Sequence, residues 1–366
     1  MDCLGEWPEP VRRVQAIAES GSPVIPERYI KPLSERPGLE PAGSELGSVP
    51  VIDLGALRDG EVGLKVGEAC REWGFFEAVN HGVPNEVIER MREVWRGFFA
   101  LPLHLKQEYA NNPKTYEGYG SRLGVEKGAL LDWGDYYFLN LLPPALNDPM
   151  KWPALPANCR ETIQEYSEHV LRLCKALLKA MSLGLGLREY YLQEAFGGDD
   201  VGSCMRINFY PKCPQPELTL GLSSHSDPGG LTVLLPDERV KGLQVRHRDS
   251  WVTVSPGPHS FIINIGDQIQ VMTNAGYKSV EHRVMANSVL ERLSVAFFYN
   301  PKSDLLIGPA PDLVAPDSPA LYSPMTFDQY RLFIRQRGPR GKSQVQSLES
   351  KSPASSPRTP PNKLFS

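Results

Sequence analysis

His225 and Asp227, two residues apart in Ser224-His225-Ser226-Asp227, could hold a metal between them. In an extended strand, residues at i and i+2 point to the same side, so this imidazole and carboxylate can aim at one point inside a barrel. A second imidazole, His282 in Val280-Glu281-His282-Arg283-Val284, shares a strand face with two valines. Alone, each pattern is more often a hydrogen-bonded core or turn pair, or a buried structural histidine, than a ligand. Together, two imidazoles and one carboxylate form the facial set that suits Fe(II) and leaves three coordination positions open, whereas structural zinc takes four closed ligands. Three open positions accommodate a chelating 2-oxo acid and O2, which is oxygenase chemistry.

Two further strands carry polar side chains on an inward face. In Arg292-Leu293-Ser294-Val295-Ala296-Phe297-Phe298, Arg292 and Ser294 share a side of an apolar strand. A buried guanidinium is costly unless an anion meets it, and no same-face neighbour is acidic, so a small-molecule carboxylate is the expected partner. In Arg206-Ile207-Asn208-Phe209-Tyr210 three polar residues alternate with apolar ones, and each must find a hydrogen-bond partner or a ligand. Arg331 and Arg335, four apart, share a helical face. An isolated pair of this kind is usually solvated. If its helix covers the barrel mouth, the two arginines join Arg206 in a second anion clamp, separate from Arg292.

These side chains need a scaffold. From Ser203 to Pro301 short β-rich runs alternate with Gly, Pro, Asp and Asn, and strands are expected at 203–210, 218–224, 231–235, 242–246, 251–255, 260–264, 268–272, 278–284 and 291–299. About eight strands is the number that suits a double-sheet jelly roll. Upstream, helical periodicity marks 64–73, the segment through Val87, Met91, Val94, Trp95 and Phe98, and about 161–181, while Phe75 to Val79 is an apolar run. Thr326 to Gln336 reads as a closing helix. The expected organisation is α+β, a double-stranded β-helix (jelly-roll) core with a helical lead-in. Residues 1–48 form an arm over the surface, 49–195 a mostly helical region, 196–345 the jelly roll with its C-terminal helix, and 346–366 a polar tail expected to be disordered.

Bulk properties narrow the function. A net charge of -4 from 39 basic and 43 acidic residues gives no basic excess for nucleic acid. No stretch reaches the roughly 20 apolar residues of a membrane span. The start lacks a secretory signal pattern, and the six scattered cysteines form neither a disulfide framework nor a zinc knuckle. A cytosolic chain is expected, its size also admitting nuclear residence, with a monomer favoured.

The motifs His225-x-Asp227, His282, Arg292-x-Ser294 and Asn208-x-Tyr210, with Trp73-Gly74-Phe75-Phe76 and Asn80-His81-Gly82-Val83 upstream, resemble the plant 2-oxoglutarate/Fe(II)-dependent dioxygenases over residues 45 to 345. The resemblance implies that His225, Asp227 and His282 bind Fe(II), while Arg292, Ser294, Tyr210 and Asn208 hold 2-oxoglutarate. It also implies O2 as cosubstrate, ascorbate as reductant, and C–H hydroxylation with release of succinate and CO2. His81 falls outside the metal spacing and is expected to be structural.

Within that family, Asp132 to Leu139, Leu222 to Gly230 and Phe327 to Val345 resemble the jasmonate-induced oxygenases, which hydroxylate jasmonic acid. This implies a small carboxylate-bearing apolar substrate, jasmonic acid going to 12-hydroxyjasmonate, with Arg206, Arg331 and Arg335 on the carboxylate and Phe138 and Phe298 on the apolar body. The rivals are a flavonoid oxygenase of the anthocyanidin or flavonol synthase kind, which typically carries lysine at Arg206 and glutamate at Asn300, and a gibberellin-type oxygenase. A non-catalytic hormone-binding protein is the remaining alternative, and the intact metal triad argues against it.

Overall fold

A strand paired on both sides and covered on both faces must be almost wholly buried, and the longest apolar run of the second half, Arg292–Asn300, becomes such a strand. The computed structural model describes residues 11–38, 48–57, 60–111, 116–121, 128–337 and 341–349. Its first part contains helix α1 (Val14–Ala18), strand β1 (Val51–Asp53), α2 (Gly60–Glu72), β2 (Phe75–Val79), α3 (Asn85–Ala100) and α4 (Leu103–Gln107). There follow β3 (Gly118–Gly120), β4 (Asp135–Leu142), α5 (Cys159–Gly184) and α6 (Tyr191–Ala195). The second part has β5 (Gly202–Tyr210), β6 (Leu220–His225), β7 (Leu231–Leu235), β8 (Leu243–His247), β9 (Ser250–Thr253), β10 (Phe261–Ile265) and α7 (Asp267–Met272). It ends with β11 (His282–Met285), β12 (Arg292–Asn300), β13 (Leu306–Ile307), β14 (Met325–Thr326), α8 (Phe327–Arg337) and α9 (Ser343–Gln346).

The architecture is α+β, with two facing sheets forming a jelly roll. One sheet has eight strands in the order β1-β2-β10-β7-β12-β5-β4-β3, and the other has four in the order β6-β11-β8-β9. All neighbours are antiparallel except β1 with β2. The region 49–195 is therefore more than a helical lead-in, since β1 and β2 extend one edge of the large sheet and β4 and β3 the other.

Strand alternation divides the large sheet cleanly. On β12, Leu293, Val295, Phe297 and Tyr299 enter the main core with Ile163, Tyr166, Val170 and Leu177 of α5. The other face of β12, and the matching faces of β5 and β4, turn toward the small sheet. The i, i+3, i+4 spacing of apolar residues on α5 gives it one buried stripe, which makes the helix the backing of the sheet.

Four expectations change. Gln268 to Met272 alternates polar and apolar residues as a strand would, yet it forms α7, all six residues of which are buried, so alternation there carries no inside-outside meaning. Its start is fixed by backbone bonds from Asp267 N to Asp227 O and from Gln268 N to Gly229 O, at 2.8 and 2.9 Å. In the expected strand 278–284, only 282 onward is paired, because Lys278 N bonds Cys70 O and Ser279 N bonds the Gln270 side chain. The arm does not lie loosely on the surface over its described part: the Val14 and Gln15 amides both donate to buried Asp135 at 2.9 Å, and Tyr29 packs edge-on against Trp133. At the other end, Leu348 is buried and Ser323 N donates to its carbonyl, so order continues past 346; the remainder of the expected tail, 350–366, lies outside the described residues. Among the described residues no helix is long and apolar enough to cross a membrane.

Candidate active site

The metal ligands come from the ends of two paired strands. His225 is the last residue of β6 and His282 the first of β11, and the two stand opposite each other in the register with ring centroids 4.2 Å apart. Asp227 lies just beyond β6, so the shared strand face expected for His225 and Asp227 is not what joins them. Hydrogen bonds do: Thr232 Oγ1 on β7 and Asn264 Nδ2 on β10 donate to Asp227 Oδ2 at 2.6 and 2.7 Å. That leaves Oδ1 turned to both imidazoles, 3.6 Å from each Nε2.

The imidazoles are oriented for the same point. Nδ1 of His225 lies 2.8 Å from the Ser223 carbonyl and Nδ1 of His282 3.2 Å from the Val280 carbonyl, so each Nδ1–H donates to backbone and each Nε2 keeps its lone pair. Burial, reinforced by the neighbouring His282, pushes the His225 pKa down to about 4. Burial would raise that of Asp227, but His282, His225 and the two hydrogen bonds outweigh it and hold the carboxyl below its usual value. Two imidazole nitrogens and one carboxylate oxygen, all within 4.8 Å of one another and braced from behind, fit a divalent ion such as Fe(II).

Beside this triad the register builds a receptor for an anion. Arg292 pairs across the strands with Tyr210, and Ser294 with Asn208. The Arg292 guanidinium donates to Ser294 Oγ at 3.1 Å and sits over the Tyr210 ring, while its Nε has no hydrogen-bond partner. Tyr210 is itself slotted between two glycines: a Cβ at Gly221 would come within 2.7 Å of its ring, and one at Gly134 within 3.0 Å. Among the described residues no carboxylate forms an ion pair with Arg292. Asp237, whose charge reaches it, is engaged by the amides of Arg239, Val240 and Leu293.

The opposite end of the cavity holds the other three arginines, and they are not equivalent. Arg206 faces Phe138 and Ala296 across its strand neighbours, lies 4.5 Å over the Tyr136 ring, and leaves its Nε unbonded. Arg335 stacks on Tyr116 at 5.4 Å. Burial lowers the pKa of both, and neither has an acidic partner among the described residues. Arg331, by contrast, is paired with Asp328 and donates to Ser303 Oγ. Phe138, Phe298, Ile334 and Leu222 supply apolar wall.

All twelve residues singled out above, from Phe138 to Arg335, line this one cavity of about 270 Å³. His81 does not; its Nε2 bonds the His259 carbonyl and its ring packs on Phe261. Sequence reading passed over Asn264 and Thr232. Asn264 carried a usable signal, one amide in the apolar strand Phe261–Ile265, whereas a threonine in a strand is unremarkable. A second group able to approach a cation, Glu89, Glu238 and His259, is explained by Arg92, which pairs with both glutamates.

Comparison with known proteins agrees with this geometry. Residues 201–301 match the 2OG-Fe(II) oxygenase superfamily, and residues 49–157 match the N-terminal region described for the non-haem dioxygenase in morphine synthesis. Jasmonate-induced oxygenase 1 of Arabidopsis thaliana is 59% identical over 352 residues, covering 94% of this chain and 88% of that protein. Flavonol synthase 1 of Crocosmia x crocosmiiflora is 40% identical over 323 residues, covering 88% and 97% respectively. The crystal structure of JOX2 in complex with 2OG, Fe, and JA superposes with a TM-score of 0.90 at 58% identity, covering 94% of this chain and all of that one.

Proposed function

This chain belongs to the 2OG-Fe(II) oxygenase superfamily, and from that premise we propose that it hydroxylates jasmonic acid, giving 12-hydroxyjasmonate and lowering the active hormone. It is a 2-oxoglutarate-dependent dioxygenase. The observation that supports the choice of substrate is the pair of guanidiniums, Arg206 and Arg335, that line the cavity and form no ion pair with an acid among the described residues. A substrate with an apolar body and one carboxylate satisfies both the arginines and the phenylalanines. A neutral flavonoid leaves the two charges unmet, which is unfavourable at a desolvated site.

Fe(II) with 2-oxoglutarate and O2 supplies the oxidising power, converting 2-oxoglutarate to succinate and CO2 and delivering one oxygen atom to a C–H bond of the substrate. The protein's own part is placement. Arg292 and Ser294 take the distal carboxylate of 2-oxoglutarate, with Tyr210 and Asn208 beside them. His225, His282 and Asp227 would hold the metal, and three protein ligands would leave it able to take the cosubstrate and O2. Arg206 and Arg335, with Arg331 assisting, anchor the substrate carboxylate at the far end, so the apolar body between Phe138 and Phe298 presents a carbon toward the metal and displaces water.

The carboxylate requirement is tested by calorimetric titration of the Fe(II)/2-oxoglutarate form under anaerobic conditions with jasmonic acid and with its methyl ester. The acid is expected to bind at least about tenfold more tightly, the worth of a hydrogen bond to a charged group. Equal affinity would remove the clamp from the account.

A further inference from the structure

Asp267, the first residue of α7, is fully buried and forms no ion pair among the described residues, yet three hydroxyls converge on its carboxylate. Ser279 Oγ donates to Oδ1 at 2.7 Å, and Tyr330 OH and Ser226 Oγ donate to Oδ2 at 2.7 and 3.2 Å. The donors come from three places that matter. Ser226 sits between the ligands His225 and Asp227, Ser279 lies on the segment leading to His282, and Tyr330 belongs to α8, the helix whose Arg331 and Arg335 line the cavity. Asp267 also donates its backbone amide to the Asp227 carbonyl.

A second stitch joins the same parts independently. Beyond α8, Gly341 N donates to Ser224 O at 3.0 Å and forms a bridge with His225, while a side chain at Gly341, which has φ +58°, would collide with Glu281, the neighbour of His282. The carboxy-terminal segment is thus bonded to the His225 segment and closely apposed to the His282 segment rather than merely laid over the cavity.

We propose that Tyr330 and Asp267 are a positioning pair that seats α8, and with it Arg335, on the same buried acid that braces the metal-ligand segments, so that a filled carboxylate clamp and an ordered metal site are held as one unit. Neither residue touches substrate or metal. The consequence is coupling: a helix that seats poorly should admit consumption of 2-oxoglutarate without a correctly placed C–H bond. This reading rests on the carboxylate clamp proposed above.

Tyr330→Phe removes a single oxygen atom from a packed ring and is the decisive variant. Under anaerobic conditions, with Fe(II) and 2-oxoglutarate bound, jasmonate affinity is expected to fall about tenfold, as for one lost hydrogen bond to a charged acceptor. The affinity for 2-oxoglutarate should stay within about twofold, since Arg292 is untouched. Amide exchange across 327–337 should quicken, and in air the ratio of succinate to hydroxylated product should rise above that of the wild type. Asp267→Asn cuts both sides of the junction and should in addition loosen Fe(II); if it does not fold, Tyr330→Phe decides alone. Unchanged exchange across α8 in Tyr330→Phe overturns the proposal, as does a loss shared equally by 2-oxoglutarate. The exchange measurement needs no substrate, so failure of jasmonate to bind the wild type would remove the proposed substrate while the α8 comparison still decides the junction.

Discussion

The two ends of the cavity are built on different terms. At the metal end, each metal ligand is braced: both histidines are oriented by backbone carbonyls, one oxygen of Asp227 is held by Thr232 and Asn264, and the strands that carry the histidines are paired. At the substrate end, Arg206 and Arg335 rest on the faces of Tyr136 and Tyr116 and form no ion pair with an acid among the described residues. The first end is complete apart from its ion and cosubstrate, whereas the second is electrostatically incomplete until an anion enters. Rigid geometry serves chemistry that tolerates little displacement, and unspent charge selects what may approach it.

The sharpest test of this contrast lies in the ligands. His225→Ala should lower jasmonate hydroxylation by roughly a thousandfold, since the metal supplies several kcal/mol of transition-state stabilisation; turnover at the wild-type rate would break the account of the metal end. Arg292→Ala should weaken 2-oxoglutarate by roughly a hundredfold in a titration while leaving Fe(II) retention in place. Asn264→Ala removes one brace of Asp227 and should reduce metal affinity by about 10- to 100-fold, measured by competition with a chelator.

At the other end the effects should be smaller and unequal. Arg206→Ala and Arg335→Ala should each raise KM for jasmonate about tenfold with little change for 2-oxoglutarate. Arg331→Ala should raise it only about threefold, because Asp328 already neutralises that guanidinium. Equal losses at Arg331 and Arg335 would erase the distinction between a spent and an unspent charge.

The mildest prediction concerns pH. With a folded pKa of about 4 against an ordinary 6.5, His225 takes up a proton on unfolding throughout the interval between them, so the metal-free protein should lose stability as pH falls from about 6.5 to about 4. Asp267, raised to about 6 chiefly by burial, favours the folded state at low pH and opposes part of that loss. Thermal denaturation of the metal-free protein should therefore show a shallower decline in His225→Gln than in the wild type over this interval.

How much of this was legible in the sequence follows the same division. Period-two alternation exposed Arg206, Asn208, Tyr210, Arg292 and Ser294, and the observed register sets Arg292 against Tyr210 and Ser294 against Asn208. Alternation misled at Gln268 to Met272, where burial on every side removes its meaning. It also reached the right pair, His225 and Asp227, through a strand that ends two residues before the aspartate, which is placed by partners on other strands. The Asp328 to Arg331 pair was within reading distance as an i, i+3 contact and went unread. Contacts such as Tyr330 to Asp267 had no local signal, because residues 63 apart meet only once the closing helix has docked.

The most direct test incubates the purified protein with Fe(II), ascorbate, 2-oxoglutarate and O2 beside jasmonic acid, naringenin or dihydroquercetin, with succinate and products quantified by mass spectrometry. The account predicts a product one oxygen atom heavier than jasmonic acid, formed in step with succinate and lost when Fe(II) or 2-oxoglutarate is omitted. Turnover of either flavonoid with jasmonic acid left unchanged would contradict it.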